Sequence, residues 1–319
     1  MTAWLSRRWT DLHGIVPLGM VLACLLIGGV PGQATAARVA VVLSEDAAPY
    51  QEVYQVIRAH LDDSPHEISR VYAENLTAPS LGEARLAVAV GVRAAESLAA
   101  LPNRPPVLAV LVPQSWFVKT GRARLSEGGR RSVSAIYLDQ PFDRQVQLIR
   151  QAFPEVRRVG VVLSVEQGGM LDELDEVLRA QRLSLVRQTV TADERLIGPL
   201  EHVLSEAELL LAVPDPLVFN RNTAQSLFLT SYRYHAPVLG YSRSLTRAGA
   251  LLSLHSSPAQ IGRQTAEWVN SAIQGSAVRL PAPAHPAYFS ISINEQVARS
   301  LGFVLPPEAE LEKRLGGER

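Results

Sequence analysis

The stretch that decides the fold occurs twice, as RVAVVLSED at residues 38–46 and as RVGVVLSVE at residues 158–166. In both copies an unbroken apolar run ends at a serine, and an acidic residue follows close behind. Apolar runs without polar alternation are typical of strands that are buried on both faces, and such strands belong to parallel sheets. The repeat therefore predicts two related halves, each built on a parallel sheet.

Two further pairs of apolar runs follow the first pair in the same order along the chain. The second pair is ARLAVAVGV (84–92) and AELLLAVPD (207–215), and the third pair is PPVLAVLVP (105–113) and APVLGYSRS (236–244). Apolar residues at helical spacing fill the segments between these runs, and strands that alternate with helices form βαβ units. We therefore predict an α/β fold with two doubly wound parallel-sheet lobes that are structural copies of each other.

The composition is that of an ordinary globular protein and excludes one class of partner. The chain has 319 residues, which is enough for two domains. Lysine plus arginine and aspartate plus glutamate both number 31, so the chain lacks the excess positive charge of a sequence-independent nucleic-acid binder. We expect a monomer with a small-molecule ligand and no nucleic-acid partner.

The N-terminus has the pattern of a secretory signal peptide. An arginine pair at residues 7–8 precedes an apolar stretch at residues 15–27, and an Ala-Thr-Ala sequence ends at Ala36. We predict that residues 1–36 are a signal peptide that is cleaved after Ala36. Cleavage places the mature protein in the periplasm or otherwise outside the cytoplasm.

Three alternatives stay open for this N-terminal segment. It could be an uncleaved membrane anchor, although its apolar stretch is shorter than the ~20 residues that a span needs. Ser6-Arg7-Arg8 suggests export by the twin-arginine route rather than the general one. Cys24 is the only cysteine and would be the lipid attachment site of a lipoprotein, whereas cleavage after Ala36 leaves the mature chain without disulfides or cysteine-ligated metals.

The loops that follow the predicted strands form the candidate binding site, because doubly wound sheets bind ligands beyond the carboxyl ends of their strands. These loops carry hydroxyl, carboxylate and amide side chains, which suit a small polar or zwitterionic ligand. For any one of these residues the alternative is a helix cap or a turn. The candidates are Ser44, Glu45, Gly91, Val92, Gln114 and Ser115 in the first half and Ser164, Asp215, Asn220, Tyr241 and Ser242 in the second.

Asp215 is the most constrained of these candidates. It follows an apolar run and lies between Pro214 and Pro216, and proline restricts both its own backbone and that of the residue before it. Either the carboxylate is held ready for a ligand, or the segment is a tight turn from a strand into a helix. We predict the ligand contact, so an Asp215→Asn variant should lose affinity and keep its melting temperature.

The sequence offers little support for an enzyme. Gly240-Tyr241-Ser242-Arg243-Ser244 lacks the last glycine of a nucleophile elbow, so a serine hydrolase that uses Ser242 is the weaker hypothesis. No dinucleotide-binding or phosphate-binding glycine pattern is present, and the histidines do not have metal-ligand spacing. We predict a protein without catalytic activity, cofactor or metal.

Two segments carry a resemblance to a known family. SLHSSPAQIGRQTAEWVNSAIQG at 253–275 and SISINEQVARSLGFVLPPE at 290–308 look like the substrate-binding proteins of ABC transporters that have the type I periplasmic-binding fold. The resemblance is closest to the branch associated with aromatic or branched-chain amino acids, in which a strand also ends in a turn like Pro214-Asp215. This chain departs from that branch in its first half, where Gly91-Val92 replaces Gly-Thr and Pro113-Gln114-Ser115 replaces an Asp-Pro turn.

The resemblance implies two lobes joined by three crossing segments that close on a ligand in the cleft between them. It also implies capture of a small polar solute for an ABC-type uptake system, whose permease and ATPase are then the partners. A ligand-sensing protein of the same fold is the alternative. The expected lobes are residues 37–140 plus about 255–290 and residues 141–254 plus about 291–319, with crossings near Gln140-Pro141, Leu254-His255 and Ser290–Asn294.

Overall fold

A computed structural model gives the structure of the chain and describes residues 37–126, 132–191 and 196–317. The signal peptide, the cleavage after Ala36 and the lipoprotein alternative at Cys24 fall on residues 1–36, outside the described residues, and stay predictions. Within the described ranges, no helix is both long and apolar enough to cross a membrane.

The first sheet and the helices that cover it form lobe 1. Its strands are β1 (Arg38–Leu43), β2 (Glu67–Tyr72), β3 (Leu86–Val90), β4 (Val107–Val112) and β5 (Val133–Tyr137). Its helical segments up to β5 are α1 (Ala48–Leu61), a 3-10 turn (Ala73–Asn75), α2 (Ala78–Leu81), α3 (Val92–Ala99), α4 (Gln114–Trp116), a π-helical turn (Phe117–Gly121) and α5 (Arg122–Ser126). The strands are all parallel, in the order β2-β1-β3-β4-β5.

The second sheet and its helices form lobe 2. Its strands are β6 (Arg158–Ser164), β7 (Ser184–Val190), β8 (Leu209–Leu211), β9 (Val238–Gly240), β10 (Leu252–His255) and β11 (Ser290–Ile293). The helical segments from α6 onward are α6 (Phe142–Ala152), a 3-10 turn (Val165–Met170), α7 (Leu171–Ala180), α8 (Ile197–Glu206), α9 (Ala224–Arg233), α10 (Arg243–Ala248), α11 (Pro258–Ala272), α12 (Glu295–Leu301) and α13 (Glu308–Arg314).

The two sheets have the same strand order. The second sheet runs β11-β10-β9-β8-β6-β7, with β11 antiparallel to β10 and the other neighbours parallel. When β6 to β10 are matched with β1 to β5, the orders are identical, which confirms the doubly wound α/β fold. The order reverses between β1 and β3 and again between β6 and β8, and such switch points are where these sheets bind ligands.

Both faces of each sheet are buried, which explains why the strands read as continuous apolar runs. In β1, Val39, Val41 and Leu43 pack with residues of α1 and α11, whereas Ala40 and Val42 pack with residues of α3 on the other face. In lobe 2 the residues of β6 and β8 divide in the same way between two clusters. The period of two along each strand therefore builds two core layers per lobe.

Helix α11 follows β10 of the second sheet but packs on lobe 1. Ser257 and Gln260 form a capping box, with each side chain accepting the other's backbone N–H, and Pro258 begins the helix as predicted. Gly262 allows close contact with α1, because a Cβ there would lie 2.8 Å from the Cβ of Val56 and 3.0 Å from the carbonyl oxygen of Val53. The exact lobe boundaries stay a prediction.

The C-terminal segment closes one edge of the second sheet. β11 lies at that edge, and its outward backbone amides at Ile291 and Ile293 donate to the carboxylates of Glu312 (2.8 Å) and Glu308 (2.7 Å) on α13. The sequence pattern correctly placed Asn294 as the cap of α12 and Gly302 at its end, where φ is +76°. It did not predict α13, which follows two prolines.

Candidate ligand-binding cleft

Three segments connect the lobes within the described part of the chain. The first joins β5 to α6, the second joins β10 to α11, and the third runs from Ala284, which pairs with β5, to β11. The third crossing lies slightly before the expected stretch at Ser290–Asn294. The alternating sequence at 288–293 suggested one strand, but only its last four residues pair with β10.

One chain of hydrogen bonds connects all three crossings. The Gln140 amide donates to Ser256 Oγ at 2.8 Å, and Ser256 Oγ donates to the carbonyl oxygen of Tyr288 at 2.5 Å. Arg144 reinforces the chain, because it donates to Gln140 Oε1 at 2.6 Å and to the carbonyl oxygen of Pro286 at 3.0 Å. Burial lowers the pKa of Arg144. The cleft therefore ends at a hinge with defined polar contacts.

In lobe 1, Ser44 and Gly91 form a tight joint between β1 and β3. The Ser44 hydroxyl donates to the carbonyl oxygen of Val90 at 2.9 Å and accepts the backbone N–H of Ala94 at 3.0 Å. Gly91 has φ of +90°, and a Cβ there would lie 2.5 Å from Ser44 Oγ. The predicted ligand contact at Ser44 thus uses its only hydroxyl hydrogen within the lobe, so these contacts give it a structural role.

In lobe 2, Asp215 links the ends of β6 and β8. Its side chain is 2% exposed. Oδ2 accepts the backbone N–H of Ser164 at 2.7 Å, and Oδ1 accepts that of Leu217 at 2.9 Å. The carboxylate therefore does not lie open to the cleft, as the sequence analysis expected. It fixes the strand-to-helix turn, because both of its oxygens are engaged with backbone donors of its own lobe.

Two further candidates also serve their own loops. The Asn220 amide donates to the carbonyl oxygen of Pro216, and its Oδ1 accepts the backbone N–H groups of Asn222 and Thr223. Ser242 caps α10 by accepting the backbone N–H of Leu245 at 3.2 Å. Among the remaining candidates, Glu45 is exposed and Val92 and Ser115 are half-buried.

A small cavity lies between the lobes, next to the hinge, and it contains the two candidates that the structure brings together, Gln114 and Tyr241. Its volume is about 20 Å³, room for about one water molecule. The other lining residues are Asp139, Gln140, Phe142, Gln145, Met170, Val213, Pro214, Leu254 and His285. Both lobes and the first and third crossings contribute to this wall.

Asp139 is the acidic group of the cavity, and the sequence analysis missed it. It lies two residues beyond β5, at the same sheet edge as the other candidates, and this position was the available signal. Its Oδ2 accepts the backbone N–H of Gln114 at 2.6 Å, and the Nδ1 atom of His285 lies 2.9 Å from its carbonyl oxygen. Burial raises the pKa of the Asp139 carboxyl, while the Gln114 amide and His285 counteract part of that rise.

A β-bulge precedes Gln114. The pairing of β4 with β5 shifts register between Val110 and Val112, and Leu111 between them has φ of +54°. Leucine rarely adopts this left-handed conformation, and such strain is found most often beside functional sites. The bulge therefore supports a binding role for the turn at Pro113-Gln114.

Tyr241 brings a hydroxyl group to the cavity from lobe 2. Its ring packs edge-on against Phe219, with the ring centroids 6.0 Å apart. Burial, with added contributions from the nearby Asp215 and Asp139 carboxylates, raises the pKa of Tyr241 to about 12. The phenol therefore stays protonated at neutral pH and is available as a hydrogen-bond donor.

The lobes also touch away from the hinge. Lys119, in the π-helical turn of lobe 1, donates to the carbonyl oxygen of Glu166 in the 3-10 turn of lobe 2. The neighbouring Val118 and Val165 side chains are 64% and 54% exposed. This contact joins the two sides of the cleft in the present conformation.

Solved structures share this architecture across most of the chain. A ligand-free, open substrate-binding protein from Clostridium difficile, CD0873, is 17% identical, with a TM-score of 0.66 and coverage of 85% of this chain and 96% of that one. An ABC domain from Streptococcus pneumonia in complex with L-Trp is 16% identical (TM-score 0.60, coverage 89% and 99%). A transcriptional activator of the comK gene from Bacillus halodurans is 11% identical (TM-score 0.53, coverage 88% and 95%).

These similarities establish the type I periplasmic-binding fold, which agrees with the two copied sheets. No match was found among curated protein sequences. The family model described as "ABC transporter substrate binding protein" matches residues 82–312, which include the cleft, the hinge and both sheets. The chain therefore belongs to the family of ABC transporter substrate-binding proteins.

Proposed function

We propose that this protein is exported and captures a small polar solute between its lobes for an ABC-type uptake system. The observation that carries this proposal is the cavity at the hinge. There Gln114 of lobe 1, Asp139 of the first crossing and Tyr241 of lobe 2 converge on one space. Ligand pockets typically combine an apolar wall with a few convergent polar groups, as this one does.

The present conformation is too closed for a solute larger than water. The cavity holds about 20 Å³, so the lobes have to move apart before an amino acid or a nucleoside can enter. The three crossings provide the hinge for such a motion. Binding would then draw the lobes together around the ligand, which is the form that a permease could distinguish from the empty protein.

A thermal-shift screen with amino acids, nucleosides and small acids tests the proposal. A ligand at 100 times its Kd should add about 2.7 kcal/mol to the free energy of unfolding. Calorimetric titration should then show that Tyr241→Phe binds the hit roughly threefold to tenfold more weakly, the effect of one neutral hydrogen bond. Tyr232→Phe, which alters a half-exposed tyrosine on α9 away from the cleft, is the matched control. Equal affinities for the two variants would argue against this cleft.

Ligand sensing is the second candidate function, and the fold similarity to the Bacillus halodurans activator favours it. A sensor would pass the closed state to a signalling protein instead of a permease. Deleting the gene separates the two, because loss of solute uptake supports transport and normal uptake with a lost transcriptional response supports sensing. A hydrolase that uses Ser242 has no support from the site, since this hydroxyl caps α10.

A further inference from the structure

The cavity holds a carboxylate that no cationic side chain compensates. Within the described part of the chain, Asp139 has no ion pair, and its carboxylate accepts only backbone N–H groups, chiefly that of Gln114. No lysine or arginine lines the cavity, and Arg144 of the hinge donates to Gln140 and Pro286 instead. A desolvated carboxylate without a positive partner is costly, and a bound cation removes that cost.

The other polar groups of the wall add acceptors rather than positive charge. His285 Nδ1 faces the carbonyl oxygen of Asp139, which can only accept, so Nδ1 carries the proton and Nε2 of the neutral ring is an acceptor. The Tyr241 hydroxyl has no hydrogen-bond partner among the described residues. It can therefore accept a hydrogen bond from a ligand as well as donate one.

The rest of the wall is apolar. Phe142 and Met170 approach the cavity from lobe 2, together with Val213 and Leu254 at the ends of their strands. An aliphatic or aromatic group can rest on these side chains, and methionine adapts readily to different shapes. The wall thus separates into a negative, acceptor-rich side at the hinge and an apolar side in lobe 2.

We propose that the cleft selects a small organic amine, whose ammonium group pairs with Asp139 and whose hydrocarbon part lies against Phe142 and Met170. This inference rests on the proposed function and names its substrate class. The ammonium group has three N–H donors, which match the Asp139 carboxylate, His285 and Tyr241. A ligand that depends on a carboxylate in this cavity would instead meet the negative charges of Asp139 and, behind Tyr241, Asp215.

Matched probes test this assignment on the purified protein. Isopentylamine, isopentanol and isovalerate share one branched carbon skeleton and differ in charge, and L-leucine adds a carboxylate to the amine. Calorimetric titration should show binding of isopentylamine, with isopentanol at least roughly tenfold weaker, because a charge-assisted hydrogen bond is lost. Isovalerate should not bind. L-Leucine should bind through the same ammonium contact, if its carboxylate reaches the cleft mouth.

Asp139→Asn removes the charge while its Oδ1 can still accept the Gln114 N–H. Binding of isopentylamine should weaken roughly 10- to 150-fold, the effect of one charge-assisted contact. Asp143→Asn, at an exposed carboxylate one turn into α6, is the control and should bind as the unmodified protein does. Should Asp139→Asn not fold, the preference of the unmodified protein for isopentylamine over isopentanol decides the matter.

The inference and the proposed function fail in different ways. Binding of a neutral or anionic compound that Asp139→Asn leaves unchanged overturns the amine assignment and leaves the function as a binding protein intact. Failure of every amine probe overturns the assignment as well. The function itself is overturned only if no compound of any charge in the wider screen shifts the melting temperature and the gene deletion leaves uptake and signalling unchanged.

Discussion

The aspartate between two prolines has a different role from the one that its sequence context suggests. Asp215 lies at the carboxyl end of a central strand, as predicted, yet its carboxylate is buried and bonded to the backbone of Ser164 and Leu217. The prolines stiffen a turn that the carboxylate then fixes to the neighbouring strand. Its effect on a ligand is indirect, through the position of Tyr241.

Asp215→Asn should therefore lower the free energy of unfolding, contrary to the expectation from sequence. Asparagine offers one oxygen, so its NH₂ group would face one of the two backbone donors. We expect a loss of about 1–3 kcal/mol in urea denaturation, the cost of an unsatisfied buried donor. Asp63→Asn changes an exposed aspartate and should leave stability as it is. An unchanged urea midpoint for Asp215→Asn would restore the original ligand-contact prediction.

His255 gives the fold a dependence on pH. Its ring lies on β10 with Nε2 2.9 Å from Ser292 Oγ, and burial, with a smaller effect of Arg243, lowers its pKa to about 4. The unfolded chain, with a histidine pKa of about 6.5, binds the proton first. The contribution of the neutral ring is thus complete above about pH 6.5 and is lost as the pH falls towards 4.

Between pH 7 and pH 4.5 this group should reduce the free energy of unfolding by about 2–3 kcal/mol. His255→Gln keeps a polar side chain near Ser292 without the titration. Its urea-derived stability should consequently fall less than that of the unmodified protein over the same range. His202→Gln, at an exposed histidine, should follow the unmodified protein. Parallel pH profiles for all three proteins would contradict this role of His255.

At the scale of elements, the central strands were predictable and the edges were not. β1, β3, β6 and β8 are apolar throughout because helices cover both faces, so periodicity alone identifies them. β2 and β7 at the sheet edges alternate with exposed polar residues and carry no comparable signal. Of the cavity wall, Gln114 and Tyr241 were predictable from their position after a strand. Asp139 and His285 meet only through the crossings, which a linear pattern does not reveal.

The contact between α1 and α11 can be tested through glycine. Gly262→Ala would place a Cβ against Val56 and the backbone of Val53, so we expect a loss of about 1–3 kcal/mol in the free energy of unfolding. Gly198→Ala in α8 meets no atom within 4 Å and should be neutral or stabilising by up to about 1 kcal/mol. Thermal or urea unfolding of both variants should give opposite signs. A gain for both would mean that α11 packs less tightly on α1 than described.

At the scale of the whole molecule, two sheets with one strand order are joined by a polar hinge. The crossings are tied through Gln140 and Ser256, so the lobes can rotate about a fixed point without separating. Away from the hinge, Lys119 and Glu166 join the two sides of the cleft. The balance between open and closed forms should depend on this contact and on the ligand.

Lys119→Ala should shift the protein towards the open form. One exposed hydrogen bond contributes up to about 1 kcal/mol, which corresponds to a change of about fivefold in the ratio of closed to open molecules. Small-angle scattering should show a larger radius of gyration for this variant, and saturating ligand should reduce the radius in every case. Lys313→Ala, on α13, is the control. Identical radii for Lys119→Ala and the control would remove this contact from the closing mechanism.

The two glutamates of α13 also affect how the protein behaves in crowded solution. They occupy the backbone amides of β11 that a strand from another molecule would need, and unprotected sheet edges are the usual starting points of fibres and aggregates. A chain shortened before Glu308 would expose that ladder of donors while keeping both cores. Such a fragment should turn cloudy on concentration and seed assembly of its own kind, whereas the intact molecule keeps this edge closed to a second copy.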